Sequence, residues 1–132
     1  MFSQTKILII DDEPDHCNFV KKNLEFRGSF TVFIAYSGEE GIALAKTDKP
    51  DLILLDLMMP AMCGTDVAIL LQEDCLTKNI PIIFLTAIVT PEDVELKDIK
   101  NIGGYNYMAK PADTKKLISG IVTVLKGKVD IF

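Results

Sequence analysis

Hydrophobic and polar positions along this chain repeat with two different periods. Five short runs are rich in apolar residues: Lys6–Ile10 (KILII), Thr31–Tyr36 (TVFIAY), Asp51–Leu55 (DLILL), Ile80–Leu85 (IPIIFL) and Tyr105–Ala109 (YNYMA). The first, third and fourth are almost continuously apolar, which suits central parallel strands covered on both faces. The fifth is more polar and predicts an edge strand. Between these runs the period lengthens to that of a helix. Pro14 follows Asp-Asp-Glu at a favourable first helical position, and Cys17, Val20 and Leu24 recur at helical spacing before Gly28. Ser37–Glu40 (SGEE) has the form of a capping box, with Ile42 and Ala45 facing the core and Pro50 beyond the helix end. Val67, Leu70 and Leu71 form one stripe within Gly64–Glu73. Thr90–Asp93 (TPED) opens a fourth helix. Asp113 caps a last one, whose apolar face is Leu117, Ile118, Ile121, Val122 and Leu125.

The pattern is therefore a strand and a helix, five times over. Strict alternation implies a parallel sheet with right-handed crossovers and helices on both faces. Five units are too few for an eight-fold barrel. The expected fold is α/β: a doubly wound (βα)5 open parallel sheet. Its ligand site belongs beyond the C-terminal ends of the strands, where strand order reverses.

Length and charge narrow the function. The 132 residues predict one domain over 1–132, with a core of about 6–125. A net charge of −5 argues against nucleic-acid binding, and Lys115, Lys116, Lys126 and Lys128 read as the solvated face of the last helix. No apolar stretch reaches the ~18 residues of a membrane helix. The first residues lack a signal-peptide pattern, so a cytoplasmic location without membrane contact is expected. Cys17, Cys63 and Cys75 are odd in number and lack C-x-x-C spacing, which predicts reduced thiols rather than disulfides or a zinc site. The single histidine, His16, adjoins Cys17. Neighbouring helical positions do not face each other, so a Cys–His nucleophile is not expected.

The chemistry gathers at the strand ends. Asp11, Asp12 and Glu13 follow the first strand, Asp56 the third, Thr86 and Ala87 the fourth, and Lys110 and Pro111 the fifth. Taken singly, these residues have ordinary roles: helix capping, a local hydroxyl bond, a surface charge. Taken together, they bring carboxylates, a hydroxyl and an ammonium to one sheet edge. Packed carboxylates repel and raise one another's pKa unless a cation sits among them. All-oxygen ligands suit a hard ion such as Mg²⁺. A metal, a Lys and a hydroxyl can handle a phosphoryl group, and a carboxylate can accept it as an aspartyl-phosphate.

With these motifs in order, ILIIDDEP (7–14), PDLILLDLMMP (50–60) with Gly64 four beyond the proline, PIIFLTA (81–87) and YMAKP (107–111), the sequence resembles the receiver domain of two-component response regulators. The resemblance runs from about Lys6 to Leu125. It implies a flavodoxin-like three-layer sandwich with strand order 2-1-3-4-5, an order for which a chemotaxis receiver is a standard example. It assigns Asp56 as phosphoacceptor and Asp12 as a direct Mg²⁺ (or Mn²⁺) ligand, with Asp11 acting mostly through water. The backbone carbonyl of Met58 completes the metal shell. Thr86 becomes the switch hydroxyl, Lys110 the partner of the phosphoryl oxygens, and Ala87 a small residue that leaves the acceptor accessible. Tyr107 becomes an aromatic switch and Pro111 a cis-proline.

The same resemblance implies a phosphohistidine donor on a histidine kinase or histidine phosphotransfer protein. The receiver catalyses its own phosphorylation, and the face made by the fourth helix, fifth strand and last helix then controls a downstream protein or an output domain. It also allows dimerisation on phosphorylation. Met58 and Ile88 depart from the polar residues common two positions beyond the acceptor and the switch Thr, which predicts slow autodephosphorylation. Three rivals fit less well. A metal-independent docking module would not need Asp12, Asp56, Thr86 and Lys110 together. A flavin carrier would want a Gly/Ser/Thr-rich loop where DDEP stands. A phosphatase with an Asp nucleophile would want a second acid at Met58.

Overall fold

Six strands and four helices make up the described part of the computed structural model, which comprises residues 4–87, 100–102, 105–110 and 113–128. The strands are β1 (Thr5–Ile10), β2 (Phe30–Ala35), β3 (Leu52–Asp56), β4 (Ile82–Thr86), β5 (Lys100–Ile102) and β6 (Tyr105–Ala109). The helices are α1 (Pro14–Phe26), α2 (Gly38–Asp48), α3 (Gly64–Glu73) and α4 (Thr114–Lys128). The predicted helix opening at Thr90–Asp93, and also Ile88 and Pro111, lie outside the described residues.

One sheet orders the strands β2-β1-β3-β4-β6-β5. The five predicted strands are all parallel and keep the order 2-1-3-4-5. Strand β5 is an addition, antiparallel to β6 from Lys100↔Tyr107 to Ile102↔Tyr105. It corrects the expectation that Tyr105–Ala109 forms the edge. The Gly-Gly pair at 103–104 is a two-residue hairpin signal between two short runs, and it was legible in the sequence.

Alternation along the strands divides the core in two. Ile7, Ile9, Leu52, Leu54, Ile83 and Leu85 pack on one face with Cys17, Val20 and Leu24 of α1 and Leu117 and Ile121 of α4. Leu8, Ile10, Ile53, Leu55, Ile82 and Phe84 pack on the other with Ala45 of α2 and Val67, Ala68 and Leu71 of α3. Two expected core positions turn outward: Leu70 and Val122 are exposed. On α3 the buried stripe runs Val67–Ala68–Leu71, so the small Ala68 takes the contact expected of Leu70. Strands β3 and β4 each end one residue later than predicted, which makes Asp56 and Thr86 their last residues.

The local signals act as their chemistry predicts. Ser37 Oγ accepts the Glu40 amide at 3.2 Å, while Glu40 Oε1 reaches back to the Tyr36 amide at 2.8 Å. Asp113 Oδ2 accepts the Lys116 amide at 3.3 Å. Helix α2 ends at Lys49 in the left-handed region, φ 49°, and its amide bonds to the Ala45 carbonyl.

Glu25 ties α1 to β2. Its Oε2 accepts the Val32 amide at 3.0 Å and Lys21 Nζ at 2.9 Å. The Val32 amide, then Lys21, hold its pKa below the ordinary value of 4.5. A depressed carboxylate contributes stability above its unfolded pKa and loses it as pH falls through the folded one. With the side chain 35% exposed, the contribution is screened. Glu25→Gln is expected to cost less than about 1 kcal/mol at pH 7. The gap from wild type should narrow as pH falls below 4.5, as read by urea unfolding at both ends of that range.

Candidate phosphoryl-transfer site

The site begins with main-chain geometry. Ladder bonds continue past the strand ends: Asp11 N to Ala35 O (3.0 Å), Leu57 N to Leu85 O (3.1 Å) and Lys110 N to Thr86 O (3.0 Å). They fix the exits of β1, β3 and β6 at one rim. Beyond β1, Asp11 Oδ1 accepts the Glu13 amide at 2.9 Å, an Asx turn that directs the chain into α1. Beyond β3, Gly64 N bonds to Leu57 O at 2.9 Å, closing the loop onto the strand. A Cβ on Gly64 would stand 2.5 Å from the Asp56 carbonyl oxygen, so only glycine lets the helix start so close. The loop between them turns at Ala61, φ 69°, with Met62 N on Pro60 O at 2.7 Å.

Lys110 closes the cluster. Its Nζ lies 3.0 Å from Asp11 Oδ2 and 3.2 Å from Asp56 Oδ2, and it also pairs with Glu13. Asp56 Oδ1 accepts the Met58 amide at 3.2 Å. A cleft over this floor is lined by Asp12, Glu13, Asp56, Met58, Ala87 and Lys110. Asp56, which the sequence placed as a carboxylate at the open rim, is only 3% exposed. It ends a fully buried strand and reaches solvent only through the cleft. Thr86 is likewise buried. Met58 is 63% exposed at the mouth. Tyr107, half-buried on β6, stacks on Phe84 with ring centroids 5.2 Å apart.

The electrostatics follow from burial. Burial, then the charge of Asp11, pushes Asp56 above the usual aspartate range despite Lys110 and the Met58 amide. Burial also acts upward on Asp11, but hydrogen bonds from His16, the Glu13 amide and Lys110 together hold it low. Burial acts downward on Lys110, and its three carboxylates outweigh it, keeping the ammonium charged. Burial and Asp11 push the Cys17 thiol up to about 12, so it is a neutral donor, placed 3.3 Å from the Asp11 carbonyl. One oxygen from each of Asp11, Asp12 and Asp56 falls within 4.8 Å of the others. One ammonium does not balance three such carboxylates, and an all-oxygen set fits a hard divalent cation.

The structure thus brings Asp12, Asp56, Met58, Ala87 and Lys110 to one cleft, with Asp11 buried beneath it against Lys110. Thr86 ends the adjoining strand, and Tyr107 stands two residues back along β6 from the pair Thr86↔Ala109. Two neighbours join the cluster: Glu13, placed at the strand end by the sequence but given no role there, and His16, whose contact with Asp11 the sequence did not reveal. Glu13 reaches Lys110, and His16 Nδ1 lies 2.7 Å from Asp11 Oδ2. The signal for His16 was its place in the first turn of a helix that starts three residues beyond Asp11.

Residues 7–122 match the family described as response regulator receiver domain. The chain belongs to that family. The receiver is 37% identical over 124 residues to Protein PilH of Pseudomonas aeruginosa, covering 92% of this chain and 98% of that protein. It is also 37% identical over 121 residues to the DNA-binding dual master transcriptional regulator RpaA of Synechocystis, covering 92% of this chain. It spans only 49% of RpaA. Among solved structures, it matches a CheY-like response regulator receiver domain protein of Methanospirillum hungatei with a TM-score of 0.78 and 27% identity, covering 96% of this chain and 97% of that one. Among the described residues, no helix of the receiver is long and apolar enough to cross a membrane.

Gly64→Ala is expected to destabilise the receiver by about 1–3 kcal/mol, because its Cβ meets main chain rather than a movable side chain. Chemical denaturation checks the loss. Amide shifts of Asp56–Met58 should move with it.

Proposed function

We propose that Asp56 is the phosphoacceptor of a cytoplasmic signalling switch, taking its phosphoryl group from a phosphohistidine on a histidine kinase or histidine phosphotransfer protein. The observation that carries this reading is Lys110 Nζ standing 3.0 Å from Asp11 and 3.2 Å from Asp56 on the floor of an acidic cleft. Asp11, Asp12, Asp56 and the Met58 carbonyl would hold Mg²⁺ (or Mn²⁺). When bound, such an ion offsets charge on the phosphoryl oxygens.

An Asp56 carboxylate oxygen attacks phosphorus. The new O–P bond forms as the donor's P–N bond breaks, and the imidazole leaves with the bonding pair. Lys110 turns from the Asp56 carboxylate to the phosphoryl oxygens. The Thr86 hydroxyl donates to the same group, and the small Ala87 leaves it room. Tyr107 then changes rotamer against Phe84. This shifts the population of two arrangements of the β4–β6–α4 face, which a downstream protein or an attached output domain reads. RpaA is named a DNA-binding regulator, and half of its length lies outside the match. On this reading any nucleic-acid contact belongs to such an additional domain. Dimerisation on phosphorylation is one available readout.

Labelling by a small acyl phosphate tests the site. Wild type should label only with Mg²⁺ present, and Asp56→Asn should not label. Equal labelling of the two proteins overturns the assignment. Wild type that shows no Mg²⁺-dependent labelling indicates a docking module instead. Lys110→Ala should slow labelling by about two orders of magnitude, since it removes the charged donor facing the transferred group.

The lifetime of the phosphorylated state follows from the cleft mouth. Met58 at the mouth and, by its place in the sequence, Ile88 are apolar and offer a hydrolytic water no strong side-chain hydrogen bond. Decay should therefore take minutes or longer, and Met58→Asn should shorten it. Loss of label within seconds would show that the side chain at this position does not set the lifetime.

A further inference from the structure

The contact that phosphoryl transfer leaves unused is the one between His16 and Asp11. Asp11 is fully buried, and its carboxylate offers about four acceptor positions. Oδ1 accepts the Glu13 amide at 2.9 Å and Lys110 Nζ at 3.2 Å. Oδ2 accepts His16 Nδ1 at 2.7 Å and Lys110 Nζ at 3.0 Å. All four positions are occupied, but they are not equivalent. Lys110 is shared with Asp56 and Glu13 and must shift when a phosphoryl group or a cation enters. The Glu13 amide and His16 belong to the turn and first helical turn next to Asp11 and stay in place. His16 is 11% exposed, wedged between this turn and a second groove lined by Asp12, Glu13, Pro14, Asp15 and Lys110.

We propose that His16 is a positioning residue of the cation site: its Nδ1–H fixes the rotation of the Asp11 carboxylate so that the two acceptor positions released by Lys110 face the cleft. The inference rests on the metal-binding reading of Asp11, Asp12 and Asp56. An ionised carboxylate only accepts, so the imidazole must carry its proton on Nδ1. Without His16, only the Glu13 amide and a mobile ammonium restrain Asp11, and the carboxylate can swing about its last torsion. Partners of this kind behind a metal ligand typically change affinity by about ten- to a hundredfold when removed.

The geometry specifies its own control. The amide nitrogen of Asn branches from Cγ, as Nδ1 of His does, and can replace that donor. The amide nitrogen of Gln lies one bond further out, where Nε2 would be. Binding of Mn²⁺ alone to the full chain is measured by calorimetry for wild type, His16→Ala, His16→Asn and His16→Gln. Thermal unfolding without metal confirms that each is folded. Ala and Gln should weaken Mn²⁺ binding about tenfold, and Asn should retain most of the wild-type affinity. Asn as weak as Ala, or all three equal to wild type, overturns the role of His16. Wild type that binds no Mn²⁺ overturns the metal reading together with it. The single imidazole also allows a direct check: its ¹⁵N signals should show Nδ1 protonated in wild type, and protonation on Nε2 alone rejects the proposal.

Discussion

One ammonium holds the working end of this molecule together. Lys110 Nζ meets Asp11 just beyond β1, Asp56 at the end of β3 and Glu13 from the turn that opens α1. Without a central cation, the two buried carboxylates of Asp11 and Asp56 and the exposed one of Glu13 would repel one another. Repulsion acts on Asp56, raised first by burial and then by the charge of Asp11, while hydrogen bonds hold Asp11 low. The cluster is thus satisfied but not neutral. A further cation, or a group that draws Lys110 away, finds a site already biased to receive it.

This arrangement needs the sheet as a ruler. The four parallel strands that end at the rim are in register through paired neighbours: Ile10↔Leu55, Asp56↔Leu85 and Thr86↔Ala109. A slip of one residue would turn each functional side chain into a core layer. The two apolar clusters on either side of the sheet make such a slip costly, so the same alternation that builds the core also aims the site.

Much of this was legible in the sequence for a physical reason. Near-continuous apolar runs fix buried strands, and polar residues at the C-terminal ends of parallel strands gather at one sheet edge, so Asp11, Asp56, Thr86 and Lys110 announced themselves by position. What escaped detection depended on distance rather than pattern. Leu70 and Ala68 are both compatible with a helical stripe, and only the height of α3 above the sheet decides between them. Strand β5 is three residues long, too short for periodicity to register, and only the Gly-Gly pair at 103–104 signals it. The burial of Asp56 could not be read from a run that merely ends there. The His16–Asp11 bond requires knowing how tightly the turn at Glu13 folds back.

The added strand β5 has a bearing on how a signal could leave the site. Tyr107 has a backbone partner on each side, Phe84 in β4 and Lys100 in β5. An outermost strand can peel or slide, carrying its side chains along. A strand laddered on both flanks cannot do so without breaking two sets of main-chain bonds at once. For a message relayed through Tyr107, torsion of its ring against Phe84 is the less costly route, a change of shape in the side-chain layer that leaves both ladders intact.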